Sequence, residues 1–411
     1  KKLKKIYGFK KNPIGDDYKK KYTKAKLYDL NLVRCINCKF VQLSNVIDPK
    51  KVYGEYLYVT NTSVGLQNHF YNLGKKLIKE KIINNKSKIL EIGSNDGTLL
   101  KYFFNKSKLI VGVDPAAHLF KNKKIKNIKG LFNFDLSKKI NNKFGKFNLI
   151  IANNVIANID DLNDVFLGIK KLISNEGYLV IETFSLNGIL KNNLIDNIYH
   201  EHLSYFSIET FKRFARKYDL YLKDAEFLKV KGGSLRLIFQ NKKISQNKKL
   251  TKLNKIEKEI LKNIDFKFKR LQELNLHNKN QINNIIEKCS KKGLKIYGFG
   301  ASVGTTTLVY DFEIENKIKY IFDNEKRRFN LFMPGTKIKV LNPKKLNKID
   351  VDYIIIFAWR YAKQIISRNK KLFSKKTKFI VPLPKYKILK WKKFHLLLGG
   401  IEELEKVYSS T

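Results

Sequence analysis

The segment YHEHLSYF, residues 199–206, concentrates side chains that can transfer protons. His200 and His202 flank Glu201 in a chain that has only 6 histidines in 411 residues, and Tyr199 precedes them. A histidine can remove a proton beside a carbonyl, a carboxylate can hold the ring's tautomer, and a phenol can donate to the enolate oxygen that develops. The segment therefore predicts a catalytic site. Two alternatives are a metal site, because alternate residues of a strand point to one side, and a pair of buried, hydrogen-bonded histidines.

A glycine-rich turn follows an apolar segment in KILEIGSNDGTLL. Gly93 lets the chain turn tightly, and Gly97 opens the helix that we expect next. The spacing is ExGxxxG, which is typical of class I S-adenosylmethionine-dependent methyltransferases, whereas a dinucleotide site reads GxGxxG. Asp114 ends the next apolar segment, where it can accept hydrogen bonds from both ribose hydroxyls. The residues that we predict to bind S-adenosylmethionine are Glu91, Gly93, Ser94, Asn95, Gly97, Asp114, Asn153 and Asn154.

Apolar segments alternate with helical ones around this turn. KSKILEIGSN, KLIVGVDP, FNLIIANN and GYLVIET each predict a short buried strand, so the fold class is α/β, with a parallel sheet and helices on both faces. A second α/β unit begins at KIYGFGASVG. The predicted organisation is an N-terminal module (1–64), a cofactor-binding Rossmann-like domain (65–242), a helix or helix pair as linker (243–292) and a C-terminal Rossmann-like domain (293–411).

The composition bears on partners and location. The net charge is +48, but only nine of the 84 basic residues are Arg, and Lys is spread evenly among abundant Asn and Ile. Nucleic-acid readers depend on clustered Arg, so we predict no nucleic-acid partner. No apolar run approaches 18 residues and no secretory signal is visible, which together with three cysteines predicts a cytoplasmic protein. The sequence starts with Lys rather than Met, so we expect the natural N-terminus to be missing.

Over most of residues 30–370 the chain resembles the three-domain sugar C-methyltransferases, which act on 4-keto-6-deoxy nucleotide-sugars. The resemblance rests on CINCKFVQL, YGEYLYVTNTS, LEIGSNDGTLL, YHEHLSYF, KGGSLRL and YGFGASVGTTTL. It implies that His202 takes the proton from the sugar carbon, with Glu201 and Tyr199 in the same site. It also implies that Tyr56 or Tyr58 lies near the sugar; we assign Tyr56 to catalysis and Tyr58 to substrate binding.

The chain departs from the family pattern at several positions. Asn158 and Lys231 stand where the family often has His, and both are expected near the sugar, Asn158 as a catalytic residue. His200 is assigned to substrate binding. The later turn, GFGASVG, is similar to a dinucleotide fingerprint, and the resemblance implies that it lost redox function and helps to close the nucleotide-sugar site. Gly300 and Ser302 are therefore expected to contact the substrate, where Ser302 could donate to phosphates.

The metal and function predictions follow. The family's zinc module uses two CxxC pairs, whereas this chain has only Cys35 and Cys38, so we predict no metal unless a missing segment supplies two more ligands. The predicted function is S-adenosylmethionine-dependent C-methylation of a 4-keto-6-deoxy nucleotide-sugar through a base-generated enolate. The alternatives are O- or N-methylation of another nucleotide-sugar or metabolite, favoured by Asn158, and a non-catalytic nucleotide-sugar-binding protein, disfavoured by the intact cofactor turn.

Overall fold

The structure is a computed structural model that describes residues 2–53, 60, 65–117, 122–245 and 247–390. Its described residues form three β-sheets. The N-terminal sheet is antiparallel, in the order β1-β2-β3-β9, and contains β1 (Leu3–Gly8), β2 (Asn31–Cys35), β3 (Val41–Leu43) and β9 (Ser204–Tyr205). Its fourth strand follows the YHEH block, where Val41 pairs with Tyr205. The N-terminal sheet is thus completed by a strand from outside the predicted 1–64 module.

The central sheet has seven strands: β4 (Lys88–Ile92), β5 (Leu109–Asp114), β6 (Lys126–Lys129), β7 (Phe147–Asn153), β8 (Ile173–Phe184), β10 (Tyr221–Leu228) and β11 (Ser234–Gln240). Their order is β10-β11-β8-β7-β4-β5-β6; β4 to β8 pair in parallel, and β11 is antiparallel to both β8 and β10. The strand order reverses at β4, between β5 and β7. Ligands bind at such switch points, outside the carboxyl ends of the strands.

The C-terminal sheet has six strands: β12 (Ile296–Phe299), β13 (Tyr320–Phe322), β14 (Lys339–Leu341), β15 (Tyr353–Ile356), β16 (Lys378–Val381) and β17 (Lys387–Leu389). They lie in the order β14-β13-β12-β15-β16-β17, and all neighbours are parallel except β16 and β17. The predicted second α/β unit is therefore present.

The α-helices among the described residues are α1 (Pro49–Tyr53), α2 (Leu66–Lys79), α3 (Phe134–Phe144), α4 (Leu162–Leu172), α5 (Leu186–Asn192), α6 (Ile208–Arg216), α7 (Lys248–Leu261), α8 (Ile264–Lys291), α9 (Val303–Asp311) and α10 (Ala362–Arg368). The stretch between the two α/β units forms a helix pair, α7 and α8. Asn247 caps α7 by accepting from the backbone N–H of Leu250 at 2.9 Å, and Asn263 separates the two helices in a left-handed conformation. None of the helices in the described part of the chain is both long and apolar enough to cross a membrane.

The core explains why these segments fold as they do. In β4 and β7, apolar side chains are buried on both faces of the sheet, as expected for strands covered by helices on either side. Phe166 of α4 packs against Phe211 and Phe214 of α6, with ring centroids 5.9 and 4.9 Å away. The helix predicted directly after Gly97 is only a short 3₁₀ helix, Leu100–Phe103.

Candidate active site

A cavity of about 480 Å³ lies at the carboxyl ends of the central strands. Its size is within the range of about 300–1,000 Å³ that is usual for small-molecule sites. Asp16 from the N-terminal part and Val303 and Arg328 from the C-terminal part also line it. The predicted site residues that the structure brings together in this cavity are Glu91, Gly93, Ser94, Asn95, Asp114, Asn153, Asn154, Asn158, Tyr199, Glu201, His202 and Lys231.

The turn after β4 forms one wall. Gly93 has φ +73°, and a side chain there would lie 2.9 Å from Cβ of Val155, so only glycine fits. The backbone N–H of Asn95 donates to Oδ2 of Asp114 at 2.9 Å, and that of Ala116 donates to Oδ1 at 2.8 Å. These two bonds fix the carboxylate of Asp114 while leaving lone pairs on both oxygens for a ligand's hydroxyls.

Burial and neighbouring negative charge disfavour the ionised form of the carboxyl groups in this wall. Burial raises the pKa of Glu91 well above its ordinary value, and the charges of Asp114 and Asp96 raise it further. Burial also raises the pKa of Asp114, against the effect of its two backbone hydrogen bonds. A ligand that brings positive charge or hydrogen-bond donors would stabilise the ionised carboxylates.

Several buried polar atoms around this wall have no hydrogen-bond partner within the described part of the chain. They are Oε2 of Glu91, Oγ of Ser94, Oδ1 and Nδ2 of Asn153, and Oδ1 of Asn158. Buried polar atoms in proteins are normally paired, so this cluster indicates a missing polar ligand. S-adenosylmethionine fits it, because the ammonium and ribose hydroxyls can donate to the carboxylates, and the adenine edge both donates and accepts.

His202 is held from two sides opposite this wall. Its Nδ1 lies 2.7 Å from the carbonyl oxygen of Asn197, and its Nε2 lies 2.7 Å from the hydroxyl of Tyr199. Since a carbonyl only accepts, Nδ1 carries the proton and Nε2 presents a lone pair. The ring lies between Phe184 and Tyr199, with centroids 4.2 and 3.9 Å away. Burial, aided by the charge of Lys231, lowers the pKa of His202 to about 3, so the ring is neutral.

Glu201 is the second titratable group of the block. It is buried, and its Oε1 has no hydrogen-bond partner among the residues described. Burial, together with the charge of Asp16, raises the pKa of Glu201 to about 8, although Arg328 opposes the shift. At neutral pH this side chain is therefore a carboxylic acid that can donate a hydrogen bond into the cavity.

The other histidine of the block, His200, does not line the cavity. Residues 199–201 form a turn rather than a strand, so the two rings do not share a side. His200 is buried, donates from Nε2 to the carbonyl of Asn12 at 3.1 Å, and packs edge-on against Tyr28. The structure thus places His200 in packing between the central and N-terminal parts and not in the cavity, contrary to its assignment as a substrate-binding residue.

Three other predicted residues also lie outside the cavity lining. Gly97 has φ +70°, and a Cβ there would lie 2.7 Å from Cδ1 of Ile125, so its role is in the turn itself. Gly300 packs against Ala358, where a Cβ would approach to 2.6 Å, and Ser302 caps α9 by accepting from the backbone N–H of Thr305. Tyr56 and Tyr58 lie outside the described residues.

The turn before α9 is filled by the chain itself. The hydroxyl of Thr306 donates to the carbonyl of Gly15 at 2.9 Å, and a Cβ at Gly15 would lie 2.4 Å from Cγ1 of Val303. Asp323, at the position of a dinucleotide fold's ribose-binding acid, accepts from the backbone N–H of Ala301. The N-terminal loop thus packs against Val303 and Thr306, whereas Ser302 is exposed, so its contact with phosphates stays a prediction.

The family comparisons agree with this geometry. A model described as a methyltransferase domain matches residues 68–224, and one described as the C-methyltransferase C-terminal domain matches residues 229–384. The C-methyltransferase NovU of Streptomyces niveus is 25% identical over 369 residues, which are 88% of each chain. The chain is an S-adenosylmethionine-dependent methyltransferase, and it is similar to C-methyltransferases. The central sheet accordingly is the class I, Rossmann-like methyltransferase fold.

Solved structures of other methyltransferases resemble parts of this chain. One from Anabaena variabilis is 12% identical, with a TM-score of 0.34, over 44% of this chain and 96% of its own. A possible histamine N-methyltransferase from Thermotoga maritima is 15% identical, with a TM-score of 0.32, over 43% of this chain and 92% of its own.

The metal prediction concerns Cys35 and Cys38, and neither forms a disulfide within the part of the chain that the structure describes. Within the described ranges no group of three or more His, Cys, Asp or Glu side chains is arranged to hold a metal ion. Sequence reasoning missed several cavity residues, among them Asp16 and Arg328, which no quoted motif contains, and Asn197, which lies two residues before Tyr199. The one signal for Arg328 is its residue type, because Arg is rare in this Lys-rich chain and supplies a rigid, bidentate donor fork.

Proposed function

We propose that the protein methylates a carbon beside the ketone of a 4-keto-6-deoxy nucleotide-sugar through an enolate. The observation that carries this proposal is the state of His202. A neutral imidazole whose unprotonated Nε2 accepts a hydrogen bond from Tyr199 lines the same cavity as the turn after β4. Carbon methylation beside a ketone needs such a base, because the carbon must lose a proton before it can act as a nucleophile.

His202 is the proposed base. Its lowered pKa keeps Nε2 unprotonated throughout the neutral range, so the lone pair is always available. The negative charge that develops on the substrate oxygen stabilises the imidazolium in the transition state, which offsets the burial that disfavours it at rest. The bond between Nδ1 and Asn197 keeps the second nitrogen from taking part, as the orienting carboxylate does in hydrolase triads.

Tyr199 and Glu201 are the proposed electrophilic groups. The hydroxyl of Tyr199 now donates to Nε2 of His202. A substrate whose acidic C–H bond approaches Nε2 displaces this hydroxyl, which is then free to donate to the ketone oxygen. The neutral acid of Glu201 supplies a second donor to the same oxygen. Two donors directed at developing charge lower the barrier without reorganisation of solvent.

Glu91, Asn153 and Asp114 are proposed to hold the cofactor. When bound, S-adenosylmethionine supplies the electrophilic methyl group that the substrate carbon takes. Asn158 lies between this wall and His202 in the cavity lining, and its Oδ1 has no partner in the part of the chain that is described. We assign it to a hydroxyl of the sugar, because an amide cannot accept the proton that a histidine could at this position.

The proposal is tested by the position of the transferred methyl group. The protein is incubated with S-adenosylmethionine carrying a ¹³C-labelled methyl group and a panel of nucleotide-linked 4-keto-6-deoxy sugars. A gain of one methyl group in mass, with a ¹³C resonance typical of a methyl bonded to carbon, supports the proposal. A methyl resonance typical of an ether or amine, or no methylation of any keto-sugar by a protein that binds the cofactor, would overturn it.

A further inference from the structure

The turn at residues 195–197 connects the proposed base to the C-terminal sheet. The carbonyl of Asn197 accepts the Nδ1 proton of His202 at 2.7 Å. The neighbouring Asp196 is held by two side chains from the loop that follows β15. The indole Nε1 of Trp359 donates to its Oδ2 at 3.0 Å, and Nη1 of Arg360 donates to its Oδ1 at 2.8 Å.

This contact is well shielded. The side chain of Asp196 is only 5% exposed and that of Arg360 is 23% exposed. Both carboxylate oxygens have a donor, and hydrogen bonds to a charged group are about twice as strong as neutral ones. The guanidinium also lies over the ring of Trp359, 5.0 Å from its centroid, which limits the directions that Arg360 can take.

At two glycines, residues of the C-terminal part pack closely against the 195–197 turn and the turn that carries Lys231. A Cβ on Gly304, in the first turn of α9, would lie 2.3 Å from the carbonyl oxygen of Asp196, so glycine allows this approach. A Cβ on Gly232 would lie 2.8 Å from Cδ of Arg360. Arg360 thus touches both the 195–197 turn and the turn carrying Lys231, a lining residue whose charge acts on His202.

We infer that Trp359 and Arg360 are positioning residues that keep the Asn197 carbonyl on Nδ1 and thereby fix the tautomer of His202. Without them the carboxylate of Asp196 loses its two hydrogen-bond donors. It then turns toward water, and this movement displaces the adjoining peptide. An imidazole without a fixed acceptor at Nδ1 places its proton on either nitrogen. The Nε2–H tautomer points a proton at the substrate and cannot act as the base.

The kinetic part of this inference rests on the proposed function, whereas the tautomer does not. The tautomer is read by long-range ¹H–¹⁵N NMR of the full chain carrying ¹⁵N-labelled histidine, with the His202 signals assigned by their loss in His202→Gln. The variants are Arg360→Gln, Trp359→Phe and Arg360→Lys. Arg368→Gln, an exposed position on α10, is the matched control for the loss of one charge.

We expect the wild type and Arg368→Gln to show one tautomer with the proton on Nδ1. Arg360→Gln should show a mixture and about a 10–100-fold lower kcat, as for a misplaced catalytic group, with an unchanged Kd for S-adenosylmethionine. Trp359→Phe and Arg360→Lys, which each keep a cation beside Asp196, should be intermediate, and they serve if Arg360→Gln does not fold.

A folded Arg360→Gln or Trp359→Phe that keeps the single Nδ1–H tautomer and wild-type kcat would overturn the inference. So would an equal loss of kcat in all variants with an unchanged His202 spectrum, which is the signature of a merely structural role. A shifted tautomer in a protein whose wild type methylates no keto-sugar would instead refute only the proposed function.

Discussion

The pH dependence of Glu201→Gln is the prediction that follows most directly from the site. The pKa of Glu201 is raised to about 8 by burial and by Asp16, and the pKa of His202 is lowered to about 3, so of these two groups only Glu201 titrates in the neutral and alkaline range. If its acid form donates to the substrate, the wild-type kcat/KM for the sugar should halve near pH 8 and reach about one-tenth of its neutral value near pH 9. The amide of Gln donates but does not titrate, so the variant should lose this alkaline limb.

The assay is the initial rate of methylation with saturating cofactor and with sugar well below its KM, measured from about pH 6 to pH 9.5. At pH 7 the variant should lose less than the roughly 10²–10³-fold that removal of an oxyanion donor costs, because the amide still donates. Glu176→Gln, at a side chain that is 62% exposed, is the matched control and should keep the wild-type profile. An alkaline limb that persists in Glu201→Gln with the same apparent pKa would refute the assignment of Glu201 as the titrating acid.

Three further predictions concern the base, the cofactor and stability. His202→Gln should lower kcat by about 10²–10⁴-fold with an unchanged Kd for S-adenosylmethionine, as measured by calorimetry; a matching loss of cofactor affinity would contradict the role of His202. Asp114→Asn places an amide N–H₂ against a backbone N–H and should raise that Kd by about 10–100-fold, whereas Asp135→Asn, on the exposed side chain of α3, should not. Glu182→Ala removes the buried partner of Arg236, now 3.0 Å away, and leaves only the more exposed Glu226 at 3.4 Å, so it should lower the free energy of unfolding in urea by about 3 kcal/mol. Burial would raise the pKa of Glu182, but its hydrogen bond to His69 and the charge of Arg236 lower it below the ordinary value of 4.5. The stability that the pair contributes is therefore present above pH 4.5 and is lost as the pH falls through the lowered pKa. Wild-type stability that does not fall below pH 4.5, or a variant as stable as the wild type, would exclude the pair as a stabilising element.

The wall formed by the turn after β4 could be predicted from the sequence because its geometry is local. Gly93 needs a left-handed backbone, Asp114 ends the neighbouring parallel strand, and the two meet wherever such strands pair in register. The alternation of β-like and helical segments likewise predicted the central and C-terminal sheets. Local spacing therefore carried both the fold class and the cofactor-binding motif.

The choice between the two histidines was not local. Alternation on a strand would put His200 and His202 on one side, but the chain turns at residues 199–201, and each ring is oriented by a carbonyl elsewhere. For His200 that carbonyl belongs to Asn12, 188 residues away along the chain. The tautomer of His202 depends on the Asn197 carbonyl, whose position cannot be derived from residue types.

The contacts made by the C-terminal part were hidden for the same reason. Arg360 and Asp196 are 164 residues apart, and Arg328 and Asp16 are 312 residues apart. The sequence carries one usable signal, the rarity of Arg in a chain rich in Lys. Arg34 shows the same use, since its guanidinium holds Asp265 through two hydrogen bonds of 2.9 and 3.0 Å. In a chain this rich in Lys, an Arg at a given position indicates an ion pair with fixed, directional hydrogen bonds.

The central claim is that Nε2 of His202 removes a proton from a carbon beside a ketone. The most direct measurement is the uptake of solvent deuterium at that carbon, read by mass spectrometry and ¹H NMR. The wild type and His202→Gln are incubated in D₂O with S-adenosylhomocysteine and the 4-keto-6-deoxy nucleotide-sugar that the wild type methylates. We expect deuterium at the methylated position with the wild type, and about 10²–10⁴-fold slower deuterium uptake with His202→Gln. Equal uptake by the two proteins, or none by a wild type that methylates the same carbon, would contradict it.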